Sequence, residues 1–92
     1  MFAGKEETIS SEAPNHLAGV FIERFGDSVR IRPSLERKDF FVARITVYTS
    51  IQFYGWLLGL GKDVKILSPD SVREEYIKYL SEAISVNSPP IP

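Results

Sequence analysis

The run from Phe40 to Thr49 commits this chain to a β-sheet with one buried face. Phe41, Ala43, Ile45, Val47 and Thr49 alternate with Phe40, Val42, Arg44, Thr46 and Tyr48. A period of two sends the first set to one side of a strand and the second to the other. The β-branched and aromatic residues suit a pleated, half-buried surface. Val29 to Arg32 repeats the pattern, with Val29 and Ile31 on one side and Arg30 and Arg32 on the other. The polar stretch 33–38 joins the two, which predicts a hairpin with its loop around Glu36-Arg37-Lys38. Val64 to Leu67 reads as a short strand with Val64 and Ile66 on one face. Residues 7–11 are the weakest strand candidate, because Ile9 is their only strong apolar residue.

Between these strands the period changes to that of a helix. Leu17, Val20, Phe21 and Phe25 form one apolar stripe and predict a helix over 15–25. Asn15 is suited to cap it and Gly26 to close it. Phe53, Trp56, Leu57 and Leu60 fall at i, i+3, i+4 and i+7, and Gly61 ends that helix. Ser68 is placed to cap the next one, Pro69 suits its first position, and Asp70 complements its dipole. Val72, Tyr76, Leu80 and Ala83 carry its inner stripe, and Ile77 and Ile84 widen it. The order is β-α-β-β-α-β followed by a terminal helix. This predicts an α+β, ferredoxin-like fold with a four-stranded antiparallel sheet and two helices on one face. The inner sheet face is expected to hold Ile9, Val29, Ile31, Phe41, Ala43, Ile45, Val47, Val64 and Ile66. The domain is expected over 1–86, with a proline-rich tail over 87–92.

Composition narrows the chemistry. At 92 residues the chain makes one domain, and its net charge of −1 gives it no long-range pull on nucleic acid or membrane. Cysteine is absent, so there is no disulfide, thiolate nucleophile or cysteine metal site, which fits a reducing cytoplasm. No apolar run reaches the length of a membrane span, and the N-terminus lacks the pattern of a signal peptide. His16 is the lone histidine and reads as a surface residue, without the second ligand of a zinc site. No P-loop or GxSxG elbow occurs. Gly55 and Gly59 interrupt a helix rather than open one, so they read as sites of close helix packing. Glu74 is placed to pair with Lys78 one turn on. Trp56 reads as core. No catalytic residue, metal site or cofactor is expected. The opening Met1-Phe2-Ala3-Gly4 suits either a piece of a longer regulator or a small free-standing protein.

The best candidate site is the other sheet face. Strand parity places Arg30, Arg32, Arg44 and Lys65 there, with Phe40, Val42, Tyr48 and Leu67. The strands at 29–32, 40–49 and 64–67 add no acidic residue to it. Three readings stay open: a solvated strand face half covered by the terminal helix, a protein interface, and a platform for an anion or single-stranded nucleic acid. For self-association the favoured contacts are Ile77, Tyr79 and Ile84 on the terminal helix, with Val42 and Tyr48 as exposed sheet residues.

The sequence also resembles a known family. The residues that carry the likeness are Phe25-Gly26 after the first helix, the run Phe53-Tyr54-Gly55-Trp56-Leu57, the Gly61 turn, Ile66-Leu67-Ser68-Pro69, and the helix from Val72. In this order they resemble the C-terminal extension (WCX) that follows the WYL domain in bacterial transcriptional regulators. The resemblance implies a ferredoxin-like fold and a regulatory part, serving dimerisation or effector sensing. It implies a homodimer, or contact with WYL and helix-turn-helix domains, and a nucleic-acid or anionic effector. The Trp-Tyr-Leu sequence that names the WYL domain does not occur here, and no DNA-reading domain is present, so operator binding is not assigned to this chain.

Overall fold

The computed structural model describes residues 5–90. Residues 1–4 and 91–92 lie outside the described residues, the latter being the end of the expected tail. The long strands β1 (Lys5–Pro14) and β3 (Phe40–Thr49) form an antiparallel centre, with Ile9 opposite Ile45 and Ala13 opposite Phe41. β2 (Arg30–Pro33) pairs with the outer edge of β3, and β4 (Lys65–Ser68) with the outer edge of β1. The order is β2-β3-β1-β4 with every neighbour antiparallel. Two interleaved β-α-β units give this order, as the sequence pattern predicts.

The strand that differs most from expectation is β1. It extends well beyond 7–11 and lies at the centre of the sheet. Its sequence hid this because Ser11 and Ala13 are small, yet both are fully buried. Burial there comes from a strand on either side and a helical layer above, not from the residues' own apolar area.

The helices cover one face. A 3₁₀ turn (Asn15–Leu17) leads into α1 (Ala18–Phe25), α2 (Ile51–Gly59) packs beside α1, and α3 (Asp70–Asn87) packs beside α2. One cluster joins Ile9, Phe41, Ala43, Ile45 and Ile66 of the sheet to Leu17, Phe21, Phe53, Tyr54, Leu57, Val72 and Tyr76. Val64 belongs to it, Val29 and Val47 pack at its border, and Ile31 on the edge strand is more open. α2 starts at Ile51 because the Ser50 hydroxyl accepts the Phe53 N–H at 3.2 Å, a cap that the sequence reading missed.

Several local expectations change. Asn15 donates its backbone N–H to the Asp39 carbonyl at 2.9 Å and makes no side-chain cap. Ser68 ends β4, and Pro69 holds the cap position of α3 without a side-chain bond. No Glu74–Lys78 ion pair forms among the described residues; Asp70 pairs with Arg73 at 2.7 Å instead. Gly26 and Gly61 have φ of 60° and 119°, so each does turn the chain in a conformation that favours glycine. Gly55 and Gly59 are exposed, and a Cβ on either meets nothing within 4 Å. They are not sites of close packing within the chain.

Trp56 is half-buried rather than central. Its ring sits in the α1–α2 seam, 5.5 Å from Phe21 and 5.6 Å from Phe25, with the Arg24 guanidinium 5.0 Å above it. Tyr54 takes the interior place, because α3 docks on that side of α2. It lies 5.3 Å from Tyr76 and 6.0 Å from Tyr79, and its hydroxyl donates to the Glu75 carboxylate. Burial, then the adjacent Glu75, pushes ionisation of Tyr54 well above its ordinary value. The folded state therefore holds this proton more tightly than the unfolded chain. The resulting stability is complete below the unfolded pKa and drains away as pH rises beyond it. Tyr54→Phe should flatten the alkaline limb of a stability-against-pH curve. A limb of unchanged slope would assign the alkaline loss to other groups.

Candidate functional site: the outward sheet face

Strand register fixes which side chains share the face away from the helices. Arg30 stands directly opposite Arg44, Arg32 opposite Val42, and Ser10 of β1 opposite Arg44. The three arginines are exposed and line one concavity of about 200 Å³ with Ser10, Ile31 and Val42. Beside it the Thr8 and Thr46 hydroxyls bond at 3.1 Å. All three helices contribute to the core on the opposite face, so the terminal helix does not cover this one.

The face carries an acidic residue after all. Glu12 projects from β1 between Val42 and Lys65, and only 2% of it is exposed. The strand expected over 7–11 stops short of Glu12, whereas β1 runs on to Pro14. The β2–β3 loop folds back over it. Ser34 Oγ donates to Glu12 Oε2 at 2.5 Å, and Arg37 Nη1 donates to Oε1 at 3.0 Å. The Arg37 guanidinium also lies 3.6 Å over the centre of the Phe40 ring. The same Ser34 hydroxyl accepts the N–H groups of Glu36 and Arg37, which ties the loop to itself. Val42, expected to be exposed, is buried at 5%, because it neighbours Glu12 where the loop lies down. It is not available for self-association.

The expected basic platform therefore divides. Lys65 lies 3.9 Å from Glu12 Oε1 and does not line the arginine concavity. It is two strand spacings across and two residues along from Arg44, roughly 12 Å away. Tyr48 is 65% exposed but stands four residues beyond Arg44, roughly 13 Å along the strand. Phe40 is occupied by Arg37. What remains together is Arg30, Arg32 and Arg44, and no described ion pair includes any of them.

The helical side presents a second surface of different character. α2 contains no charged residue, and its outward line holds Ile51, Gly55, Leu58 and Gly59. Ile77 and Ile84 of α3 are exposed, while Tyr79 is half-buried against Tyr54. From Ser81 onward every residue of α3 is exposed. Leu58, Leu80, Ala83, Ile84 and Asn87 enclose an apolar groove of about 440 Å³.

His16 is exposed at the start of the 3₁₀ turn. Among the described residues no group of three or more His, Asp and Glu side chains is placed to hold a metal ion. No helix among them is long and apolar enough to cross a membrane.

Fold and surfaces together define a small α+β domain that presents a basic concavity on its sheet and an uncharged apolar face on its helices. The family model of the WCX domain matches residues 11–84, and the chain belongs to that family, a module of WYL-domain regulators. No curated protein matches the sequence.

Proposed function

We propose that this chain is a non-catalytic regulatory module of a WYL-domain regulator that brings two copies together through the outward faces of α2 and α3. The observation that supports this most is the pair of exposed glycines on α2. Gly55, inside the helix, costs roughly 1 kcal/mol relative to alanine, Gly59 ends it, and no described residue uses the space at either. A second helix crossing there approaches the backbone closely, as glycine pairs one turn apart permit. Ile51, Leu58, Ile77 and Ile84 flank the pair with apolar surface. The absence of charge on α2 suits a contact between identical patches, where any charge would meet its own image. Membership of a family of multidomain regulators supports association as the module's work. No catalytic residue, cofactor or metal enters this reading, and its site of action is the cytoplasm.

Sedimentation equilibrium tests it. The wild type should self-associate in the micromolar range, and Leu58→Glu with Ile84→Glu should be monomeric at the same concentrations. Both positions are exposed, so circular dichroism should be unchanged. A wild type that stays monomeric at high micromolar concentration would remove self-association as an intrinsic property of the chain.

A further inference from the structure

We infer that the concavity lined by Arg30, Arg32 and Arg44 is a binding site for a phosphomonoester dianion. This goes beyond the association reading and stands on the opposite face of the molecule. The first observation is an electrostatic conflict. Arg30 and Arg44 are directly opposed across β2 and β3, an arrangement that like charges make unfavourable. Arg32 lies two residues along on the same face of β2 and lines the same concavity. None of the three has a carboxylate partner among the described ion pairs. The one buried carboxylate on this face, Glu12, is already engaged by Ser34, Arg37 and Lys65. Three arginines thus line one concavity, and among the described residues their one side-chain bond is from Arg32 to the Pro33 carbonyl at 3.4 Å, with no carboxylate to balance them.

The chemistry that resolves the conflict is an oxyanion with several acceptor oxygens. A guanidinium presents a planar fork of donors that matches phosphate or carboxylate edge-on. Two opposed forks and a third from the side serve three oxygens at once, and the Ser10 hydroxyl on the concavity wall supplies one more donor. The surroundings of the site select among phosphate carriers. The concavity of about 200 Å³ is open to solvent and has room for a phosphate group. A track for single-stranded nucleic acid needs aromatic platforms within one nucleotide of the charges. Here Tyr48 stands roughly 13 Å away along β3, and Phe40 lies beneath Arg37. The arrangement therefore favours one terminal phosphate over a polymer backbone.

The test uses the 92-residue chain at low, constant ionic strength set with chloride. Probes are inorganic phosphate, thymidine 5′-monophosphate, thymidine, and a (dT)₁₂ oligonucleotide without terminal phosphates. Thermal shift and amide chemical shifts are read for the wild type, Arg44→Thr and Arg30→Thr. Phosphate and the monophosphate should raise the melting temperature of the wild type and move amides at 30–32 and 42–44. Thymidine should do neither. Each variant should bind the monophosphate about tenfold or more weakly, the loss of a charge-assisted hydrogen bond. In phosphate-free buffer each variant should melt higher than the wild type, because one of two opposed charges is gone; a merely structural arginine would give a lower value. Wild-type shifts with phosphate no larger than with chloride would overturn the proposal, as would equal affinity in wild type and variants. Binding of (dT)₁₂ without binding of the monophosphate would overturn it in favour of a polymer track. A monomeric domain that binds phosphate sinks the association reading alone, and a dimer that ignores phosphate sinks this one alone.

Discussion

Phe21→Ala should remove a large share of the domain's stability, about 3–5 kcal/mol. Phe21 is fully buried where aromatic side chains of α1, α2 and β3 meet. Its ring lies 5.4 Å from Phe41 on the sheet, 6.2 Å from Phe25 on its own helix and 5.5 Å from Trp56 on α2. The contacts to Phe41 and Trp56 are edge-to-face, the arrangement aromatic pairs prefer. Truncation removes a large transfer term and leaves a cavity that three elements border, so collapse into it would require α1, α2 and β3 to move together. The usual cost of such a change is ~3–5 kcal/mol. At about 0.05–0.15 kcal/mol per residue, a domain of this length has roughly 5–14 kcal/mol in total. Chemical denaturation should show the midpoint falling steeply, or no native baseline at all. Trp56→Ala, at the half-buried edge of the same cluster, should cost distinctly less. A Phe21→Ala loss below about 1 kcal/mol, well under the range for a buried aromatic, would mean that α1 is not held where the structure places it.

How far the sequence reveals this molecule depends on whether a residue's partners are local. β3 is readable because its β-branched, aromatic and small residues keep one parity class almost wholly apolar while the other carries Arg44, Thr46 and Tyr48. The arginine face follows from the same parity, and the register confirms Arg30, Arg32 and Arg44 on one side. β1 is not readable, because Ser11, Ala13 and Glu12 carry no apolar signal and owe their burial to strands far along the chain. Tyr54 escapes for a related reason. The stripe Phe53, Trp56, Leu57 and Leu60 is a valid helical face, yet the docking of α3 turns the buried arc toward Tyr54. Only the later helix, with Glu75 ready for the hydroxyl, decides between these two faces.

Glu12→Ala should cost about 2–3 kcal/mol and free the β2–β3 loop. Breaking a buried charge pair by removing one partner typically costs ~3–5 kcal/mol. The cost here is lower because the stranded partners are not themselves buried: the Arg37 side chain is 32% exposed and that of Lys65 is 54% exposed, so water reaches both. What is lost outright is two hydrogen bonds to a carboxylate, from Ser34 and Arg37, which bonds to charged groups value at about 1.5–3 kcal/mol each before water compensates. Glu12→Gln keeps the shape and one acceptor, so it should fall between alanine and wild type. The loop gives the sharper readout. Its conformation depends on Ser34 accepting the N–H groups of Glu36 and Arg37 while donating to Glu12, and on Arg37 lying flat over Phe40. With the carboxylate gone, Arg37 loses the charge that holds it down, and Arg37-Lys38 becomes a substrate for trypsin under native conditions. Val42 and Phe40 gain exposure at the same time, which hydrogen exchange along β3 should register. If the alanine variant stays within 0.5 kcal/mol of wild type, the low end of surface substitutions, and resists trypsin equally, then Glu12 does not anchor the loop, and the burial of Val42 has another cause.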